Sequence, residues 1–253
     1  MGSETGWRLR LRNWPHRMPR LEVNPRETAL VVVDMQNSTA NLSYGWNALL
    51  EEQYPDIAAY LIPRMRDTVI PNNQRLVRLF RQNGLLIVYL TVSRQRADGS
   101  DWPYPLRRRY QHFHVQAKAD MRAAGGSFGS QVIEALKPAP GDLVIAKTST
   151  GPFNSTGLDQ TLRNLGITGL VICGVSTNSC VESTLRDAAD RGYVCLLVED
   201  ACATLDPAYH EATLLNCEMI FGNVRTTEEI VIEFGQRLEG EPGVAGGGSP
   251  CTE

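Results

Sequence analysis

Residues 170–199 read LVICGVSTNSCVESTLRDAADRGYVCLLVE and contain a strand, a helix and a second strand in that order. The apolar runs at 170–173 and 194–199 are continuous rather than alternating, as is typical of strands that are covered on both faces. Between them, residues 178–191 have a helical pattern that ends before Gly192. This unit predicts a right-handed crossover within a parallel sheet.

The same alternation of apolar runs and helical stretches fills most of the chain. Further strands are predicted at 28–34 (TALVVVD), 85–92 (LLIVYLTV), 142–146 (DLVIA) and, more weakly, 218–221 (EMIF). Further helices are predicted at 71–82, 130–136, 158–165, 208–216 and 227–238. We therefore predict a doubly wound α/β fold, with a mostly parallel six-stranded sheet and helices on both faces.

Both ends of the chain lack this pattern. Residues 1–20 have no periodicity and residues 240–253 (GEPGVAGGGSPCTE) are rich in glycine and proline, so we expect a flexible extension and a flexible tail. Residues 21–239 then form a single α/β hydrolase domain. Within it, residues 93–126 are a long polar and aromatic insertion, which we expect to be a lid or an oligomer contact.

The composition excludes several classes of protein. The 253 residues carry 25 Lys and Arg against 28 Asp and Glu, and this formal charge of -3 argues against a general nucleic-acid binder. No apolar run approaches the roughly 18 residues that a membrane helix needs, and residues 1–20 lack the apolar core of a secretory signal. The cysteines contain no C-x-x-C pair. We expect a cytoplasmic protein without a membrane partner.

Three chemically active side chains follow predicted strands. Asp34 closes the first strand, Lys147 comes directly after 142–146, and Cys180 lies a few residues beyond 170–173. Ligands of open parallel sheets bind beyond the carboxyl ends of the strands. A carboxylate, an amine and a thiol on this rim form a catalytic hypothesis.

The position of Cys180 suggests how the thiol acts. In the first turn of a helix, the dipole and free N–H groups lower the pKa of a thiol, and Lys147 would add positive charge. The same N–H groups can hold a developing oxyanion, while Asp34 accepts and donates the proton. Each residue alone also fits a structural role: a packed cysteine, a turn-forming aspartate or a solvated lysine.

Three segments together resemble a known family. They are ALVVVDMQN around Asp34, LVIAKTSTGPFNSTGLDQTLRNLGI around Lys147, and LVICGVSTNSCVESTLRDAADRGYVCLLVEDACAT around Cys180. In this order they resemble the isochorismatase-like superfamily of cysteine hydrolases, over about residues 25–237. The resemblance implies the Rossmann-like isochorismatase fold, with Asp34, Lys147 and Cys180 as the catalytic triad. It also implies a cis peptide between Val175 and Ser176, with the N–H groups of Ser176 and Cys180 as oxyanion donors.

Departures within the motifs narrow the expected activity. Vinyl-ether-cleaving isochorismatases usually lack the nucleophilic cysteine, and the D-x-H metal pattern of nicotinamidases is missing from TVSRQRADGSDWP. The motifs are most similar to hydrolases of ureidoacrylate, biuret, triuret and N-carbamoylsarcosine. The resemblance therefore implies a cysteine amidohydrolase that cleaves the C–N bond of a small ureido, carbamoyl or amide compound and releases ammonia or an amine. No G-x-G-x-x-G, P-loop or H-E-x-x-H motif occurs, so we expect neither a cofactor nor a metal, and the charge balance argues against a nucleic-acid partner. The resemblance also implies a homo-oligomer, either a dimer or a tetramer.

Two other functions stay open at this point. One is an isochorismatase-type vinyl-ether hydrolase, and the other is a catalytically silent binding subunit. A serine hydrolase is a weaker alternative, because residues 174–178 (GVSTN) nearly fit the G-x-S-x-G elbow around Ser176, with His210 downstream as the base.

Several residues are candidates for contact with substrate. Asn37, Asn41 and Tyr44 follow the Asp34 strand, and Phe153 follows Lys147 at the aromatic position of the family. An exposed loop and plain core packing explain the same residues. Residues 107–110 (RRRY) suit a gate for acidic substrates, a subunit contact or a solvated face. His112 and His114 have the spacing of metal ligands on a strand, but packing in the lid or an interface is the simpler interpretation.

Overall fold

The computed structural model describes residues 6–12, 14, 18–116 and 124–240. Within these residues one sheet contains β1 (Thr28–Val33), β2 (Ile87–Val92), β3 (Leu143–Lys147), β4 (Gly169–Val175), β5 (Val194–Ala203) and β6 (Asn223–Arg225). The strand order is β3-β2-β1-β4-β5-β6 and every pair is parallel. The predicted six-stranded α/β fold is therefore confirmed, and the sheet is parallel throughout.

The helices cover the sheet. They are α1 (Gly6–Leu11), α2 (Asn37–Ala40), α3 (Gly45–Gln53), α4 (Pro55–Arg64), α5 (Ile70–Gln82), α6 (Tyr104–Gln116), α7 (Leu158–Asn164), α8 (Glu182–Asp190), α9 (Pro207–Asn216) and α10 (Thr227–Gly240). Every residue of β1, β2 and β4 is buried, as the continuous apolar runs predict for strands covered on both faces. None of the helices in the described part of the chain is long and apolar enough to cross a membrane.

The strand order positions the site. β1 pairs with β2 on one side and with β4 on the other. The chain builds β2 and β3 outward in one direction and then returns to build β4, β5 and β6 in the other. A crevice for ligand opens at such a reversal, beyond the carboxyl ends of the two central strands. The residues that follow β1 and β4 are therefore the first candidates for a site.

The weak sixth strand was predicted at the wrong place. Residues Cys217–Phe221 form a π-helical turn, and β6 begins after Gly222. The chain passes so close to β5 at Gly222 that a Cβ there would lie 2.3 Å from the carbonyl oxygen of Cys195. The carboxylate of Glu218 accepts a hydrogen bond from the Val224 N–H at 2.7 Å and holds the turn against the strand.

Two other segments differ from the predicted elements. The helix predicted at 130–136 is instead two short 3-10 turns, Phe128–Ser130 and Glu134–Leu136, because Val132 between them bridges to Gln36. The insertion at 93–126 contains helix α6, which the sequence pattern did not predict. Residues 117–123 of this insertion lie outside the described residues.

The N-terminal segment is packed where it is described. Trp7 of α1 is 3% exposed, and its indole N–H donates to the Glu199 carboxylate at 2.9 Å. Arg8 pairs with the same carboxylate at 2.8 Å. This part of the expected flexible extension therefore lies against the domain. The expected flexible tail lies outside the described residues from 241 onward.

Candidate active site

Asp34 occupies the turn that ends β1. It is 2% exposed and has a φ of 49°, an unusual value for a residue with a side chain. Its backbone is held on both sides, because its N–H donates to the Leu90 carbonyl at 2.9 Å and its carbonyl accepts from the Thr39 hydroxyl. The carboxylate is thus fixed at the crevice between β1 and β4.

Lys147 reaches this carboxylate from a distant strand. It is the last residue of β3, which lies two strands from β1, or about 10 Å at ordinary strand spacing. Only a long side chain covers that distance. The Nζ atom lies 3.0 Å from Asp34 Oδ2, and the lysine is 0% exposed.

Cys180 completes the cluster from the far side. Lys147 Nζ lies 3.3 Å from Cys180 Sγ and 3.2 Å from the Ser149 carbonyl oxygen. The ammonium group therefore stands between a carboxylate, a thiol and a carbonyl. The three residues that the sequence singled out, 113 and 33 positions apart along the chain, meet at one point.

The charges of the cluster are interdependent. Burial opposes the charge on Lys147, but Asp34 and Cys180 outweigh it, so the pKa of Lys147 lies above its ordinary value. Burial, reinforced by the charge of Asp34, raises the pKa of Cys180 to about 12, although Lys147 acts in the other direction. The resting site therefore holds an ammonium–carboxylate pair beside a neutral thiol.

This state differs from the expected low-pKa thiolate. Cys180 lies in a π-helical turn, Thr177–Val181, that precedes α8, and its side chain is partly buried. Burial and the neighbouring carboxylate outweigh the lysine. Within the described part of the chain, Asp34 Oδ1 is buried without a hydrogen-bond partner. That oxygen is available to accept the thiol proton.

The turn after β4 brings backbone groups to the same place. Gly174 has a φ of 111°, and a Cβ there would lie 2.1 Å from the Val33 carbonyl oxygen, so only glycine fits beside β1. The peptide between Val175 and Ser176 is cis, as the family resemblance implies. Ser176 and Cys180 then line one wall of a cavity together with Asp34.

The cavity is small and of mixed polarity. Its volume is about 320 Å³, and it is lined by Asp34, Ser38, Thr39, Trp46, Leu61, Met65, Arg109, Tyr110, Val175, Ser176, Asn178, Ser179, Cys180, Ala203, Thr204, Leu205 and Tyr209. The Thr204 hydroxyl donates to Asn178 Oδ1 at 2.7 Å, which fixes the side-chain amide of Asn178 in the wall. A compound with a few polar atoms fits this space.

The four expected substrate contacts are not in the cavity lining. Asn37 donates to the Phe128 carbonyl at 3.0 Å, and Asn41 donates to Asn37 Oδ1 at 3.0 Å. Tyr44 packs edge-on against Phe128 with ring centroids 5.1 Å apart. Phe153 packs against Tyr193 at 6.0 Å. The side chains of these four residues contact other parts of the protein, and other residues line the cavity.

His210 is engaged away from Ser176. Its Nε2 lies 3.1 Å from Arg64 Nη2 and its Nδ1 lies 2.9 Å from Thr177 Oγ1. Because arginine only donates, Nε2 accepts and the Nδ1 proton points to the threonine. Burial and the charge of Arg64 lower the pKa of His210 to about 3, so the ring is neutral. This geometry gives Ser176 no base from His210.

The described residues hold no group of three or more His, Cys, Asp or Glu side chains arranged to bind a metal ion. His112 lies on α6 rather than on the strand that the metal interpretation required. The side chain of His114 is outside the described atoms.

Comparison with known proteins identifies the family. The family model for the isochorismatase domain matches residues 28–229. The chain belongs to the isochorismatase family. Among curated relatives of this family member, ureidoacrylate amidohydrolase RutB of Variovorax paradoxus is 35% identical over 229 residues, which covers 87% of this chain and 86% of the relative.

Solved structures agree with this assignment. A cysteine hydrolase from Pseudomonas syringae pv. phaseolicola 1448A superimposes with a TM-score of 0.71 at 28% identity, covering 86% of this chain and 97% of the other. N-carbamoylsarcosine amidase from Thermoplasma acidophilum has a TM-score of 0.57 at 27% identity, covering 80% and 97% of the two chains.

Sequence reasoning missed most of the cavity lining of this isochorismatase-family chain. Trp46, Leu61, Met65 and Tyr209 come from α3, from α4 and the turn after it, and from α9, and no local motif marks them. Arg109 and Tyr110 also line the cavity, and for them the sequence did carry a signal. It was the run RRRY at 107–110, because its interpretation as a gate for acidic substrates predicts a position beside the substrate.

Proposed function

We propose that this isochorismatase-family protein is a cysteine amidohydrolase that cleaves the C–N bond of a small ureido, carbamoyl or amide compound. One observation carries the proposal. The Lys147 ammonium lies 3.0 Å from Asp34 and 3.3 Å from Cys180, and these two residues line a cavity of about 320 Å³. A nucleophile, a proton acceptor and a fixed positive charge are the parts that acyl transfer from nitrogen needs.

The first step forms the bond between sulfur and carbon. The neutral thiol of Cys180 passes its proton to Asp34 as Sγ attacks the substrate carbonyl carbon, and the carbonyl π electrons move to oxygen. Lys147 stabilises the negative charge as it leaves the carboxylate and develops on sulfur. The N–H groups of Ser176 and Cys180, on the adjacent wall, donate to the oxyanion.

The second step breaks the bond between carbon and nitrogen. The protonated Asp34 gives its proton to the leaving nitrogen, so that ammonia or an amine departs and a thioester-type acyl enzyme is left. In the third step, Asp34 takes a proton from water, which attacks the acyl carbon. The C–S bond then breaks, and sulfur takes the proton back from Asp34, which returns to its carboxylate form. The products are the nitrogen compound and a carboxylic or carbamic acid.

The relatives support the substrate class. RutB is named as an amidohydrolase of ureidoacrylate, and the Thermoplasma acidophilum structure as an amidase of N-carbamoylsarcosine. Both names describe a ureido or N-carbamoyl compound. The cavity volume suits substrates of this size. The cytoplasmic location and the dimer or tetramer expected from the sequence stay predictions.

Ammonia release tests the proposal. The panel contains ureidoacrylate, biuret, triuret, N-carbamoyl amino acids, nicotinamide and simple amides, each with the native enzyme, with Cys180→Ala and with the buried-cysteine control Cys195→Ala. We expect turnover of ureido compounds that is lost in Cys180→Ala and kept in the control. Turnover that survives Cys180→Ala refutes the thiol mechanism. Pyruvate release from isochorismate instead identifies a vinyl-ether hydrolase, and silence with every compound favours a binding subunit.

A further inference from the structure

His210 is a buried titratable residue that the proposed mechanism does not use. It lies on α9 and is 7% exposed. Its Nδ1 atom lies 2.9 Å from the hydroxyl of Thr177, which is 0% exposed. Thr177 begins the nucleophile turn, Thr177–Val181, which carries Cys180. Neither His210 nor Thr177 belongs to the described cavity lining, so this contact lies outside the space for substrate.

Arg64 fixes the opposite edge of the imidazole ring. It is the last residue of α4, and its guanidinium donates to the carbonyl oxygens of Glu199 and Cys202, both at 3.0 Å. Its Nη2 atom also lies 3.1 Å from His210 Nε2. Since a guanidinium has no acceptor, Nε2 accepts and Nδ1 carries the proton that points to Thr177. The carbonyl groups of β5 hold the guanidinium, and the guanidinium selects the tautomer of the ring.

The same contact keeps the ring neutral. Burial and the positive charge of Arg64 lower the pKa of His210 to about 3, and the Glu199 carbonyl, which acts in the other direction, is outweighed. A protonated ring would turn an N–H group toward the N–H groups of the guanidinium and would lose the acceptor that this contact needs. At neutral pH the ring therefore accepts from Arg64 and donates to Thr177.

The nucleophile turn connects this hydrogen bond to the thiol. Thr177 and Cys180 lie within one turn of the chain, so a shift of Thr177 moves the thiol as well. The position of the thiol matters, because Sγ lies 3.3 Å from Lys147 Nζ and the proposed first step passes its proton to Asp34. We propose that His210 is a positioning residue, which holds Thr177 so that the Cys180 thiol stays in place for attack. The inference rests on the proposed amidohydrolase function and adds a residue outside the cavity on which the rate of its chemical step depends.

The test substitutes each partner of the hydrogen bond in two ways. In His210→Asn the amide NH2 can take the place of Nδ1–H and still donate to Thr177, whereas the longer side chain of His210→Gln extends toward Arg64. Thr177→Val removes the hydroxyl and Thr177→Ser keeps it. The control Thr227→Val removes an equally buried hydroxyl, which donates to Asp200 at 2.8 Å.

Kinetics are measured by ammonia release from ureidoacrylate and biuret. We expect His210→Gln and Thr177→Val each to lower kcat about 10- to 100-fold, with KM within about threefold, because the nucleophile is misplaced while the cavity lining is kept. His210→Asn and Thr177→Ser recover part of the loss. The double variant of His210→Gln and Thr177→Val loses no more than the worse single variant, since both remove one hydrogen bond. The control changes little.

Two further readouts do not need turnover. Nitrogen NMR of histidine-labelled protein, with the His210 signal identified by its loss in His210→Gln, is expected to show a neutral ring with its proton on Nδ1. Alkylation by iodoacetamide at pH 7, followed at Cys180 by peptide mass spectrometry, is expected to be at least about threefold faster in Thr177→Val than in the native protein or the control, because the freed turn exposes the thiol.

The outcomes separate this inference from the amidohydrolase. A proton on Nε2 overturns the inference, as do additive losses in the double variant or a loss of kcat that Thr177→Ser and His210→Asn do not recover. Turnover that is unchanged in His210→Gln and Thr177→Val leaves the amidohydrolase and removes the positioning role. Faster alkylation of Cys180 in Thr177→Val, in a protein that releases no ammonia from any compound, removes the amidohydrolase and leaves the held turn.

Discussion

Replacing Lys147 by methionine tests whether the buried ion pair holds the site together. Methionine keeps the length of the side chain but removes the ammonium, and it leaves the carboxylate of Asp34 buried. The side chains of Lys147 and Asp34 are 0% and 3% exposed. Removal of one partner from a buried pair costs about 3–5 kcal/mol, because an uncompensated charge remains in the interior. We expect the free energy of unfolding to fall by that amount.

The measurement is urea unfolding at pH 7 followed by circular dichroism, with a matched substitution at an exposed pair. Lys137 lies 3.4 Å from Glu134, and the two side chains are 70% and 85% exposed. Lys137→Met is expected to change the unfolding free energy by at most about 1 kcal/mol. In a chain of this size, the loss in Lys147→Met corresponds to a fall in Tm of roughly 2–4 °C per kcal/mol.

A double variant decides the cause. Asp34→Asn removes the charge that Lys147→Met leaves behind, so the double variant should be more stable than Lys147→Met alone. Strictly additive losses refute the reasoning, as does a Lys147→Met protein no less stable than Lys137→Met. In either case the Asp34 carboxylate would be solvated or otherwise compensated without Lys147, and the role assigned to the ammonium would fail with it.

Three further outcomes are expected. Because the pKa of Cys180 is raised to about 12, iodoacetamide should alkylate it more slowly than it alkylates a free thiol at pH 7. The alkylation rate should still increase with pH at pH 10, and a rate that reaches its plateau below pH 8 contradicts this. The pKa of His210 is lowered to about 3, so as the pH falls below about 6.5 the histidine is protonated in the unfolded chain before it is protonated in the folded one, and the folded protein loses stability. The urea midpoint of His210→Gln should therefore decline less steeply than that of the native protein between pH 6.5 and 4. Trp7→Ala should lower the unfolding free energy by about 3 kcal/mol, because it removes a 3% exposed indole that donates a hydrogen bond to Glu199. Ammonia release should be retained, and an unchanged melting curve would show that α1 does not stabilise the domain.

The sheet was predictable from sequence because its central strands must be apolar on both faces. The runs at 28–34, 85–92 and 170–173 are continuously apolar, so they could be recognised as such strands. β6 lacked the signal, since its three residues, Asn223–Arg225, include an amide and a guanidinium that are buried only in the folded chain. The strand was predicted instead at the nearby apolar run EMIF (218–221), which forms a helical turn.

The meeting of Asp34, Lys147 and Cys180 was predictable for a different reason. The ends of parallel strands meet at one edge, so side chains far apart in sequence are brought together by topology alone. No comparable rule predicts which side chains of a loop or short helix face the cavity. In the single turn of α2, Ser38 and Thr39 face the cavity, whereas Asn37 and Asn41, four residues apart, share the opposite side and bond to each other at 3.0 Å. A sequence without its helix boundaries cannot separate these two faces.

The neutral thiol changes how activity must be recognised. A thiol with a pKa near 12 supplies almost no thiolate at pH 7, so the proposed mechanism requires Asp34 to remove the proton during attack, when a carbonyl carbon is already in place. In that mechanism the Lys147 ammonium stabilises the carboxylate before proton transfer and the sulfur as it attacks, because it lies within 3.3 Å of both. Slow alkylation of the resting protein is therefore expected of an active enzyme as well as of a silent subunit. Only turnover of a bound substrate, and its loss in Cys180→Ala, distinguishes the two.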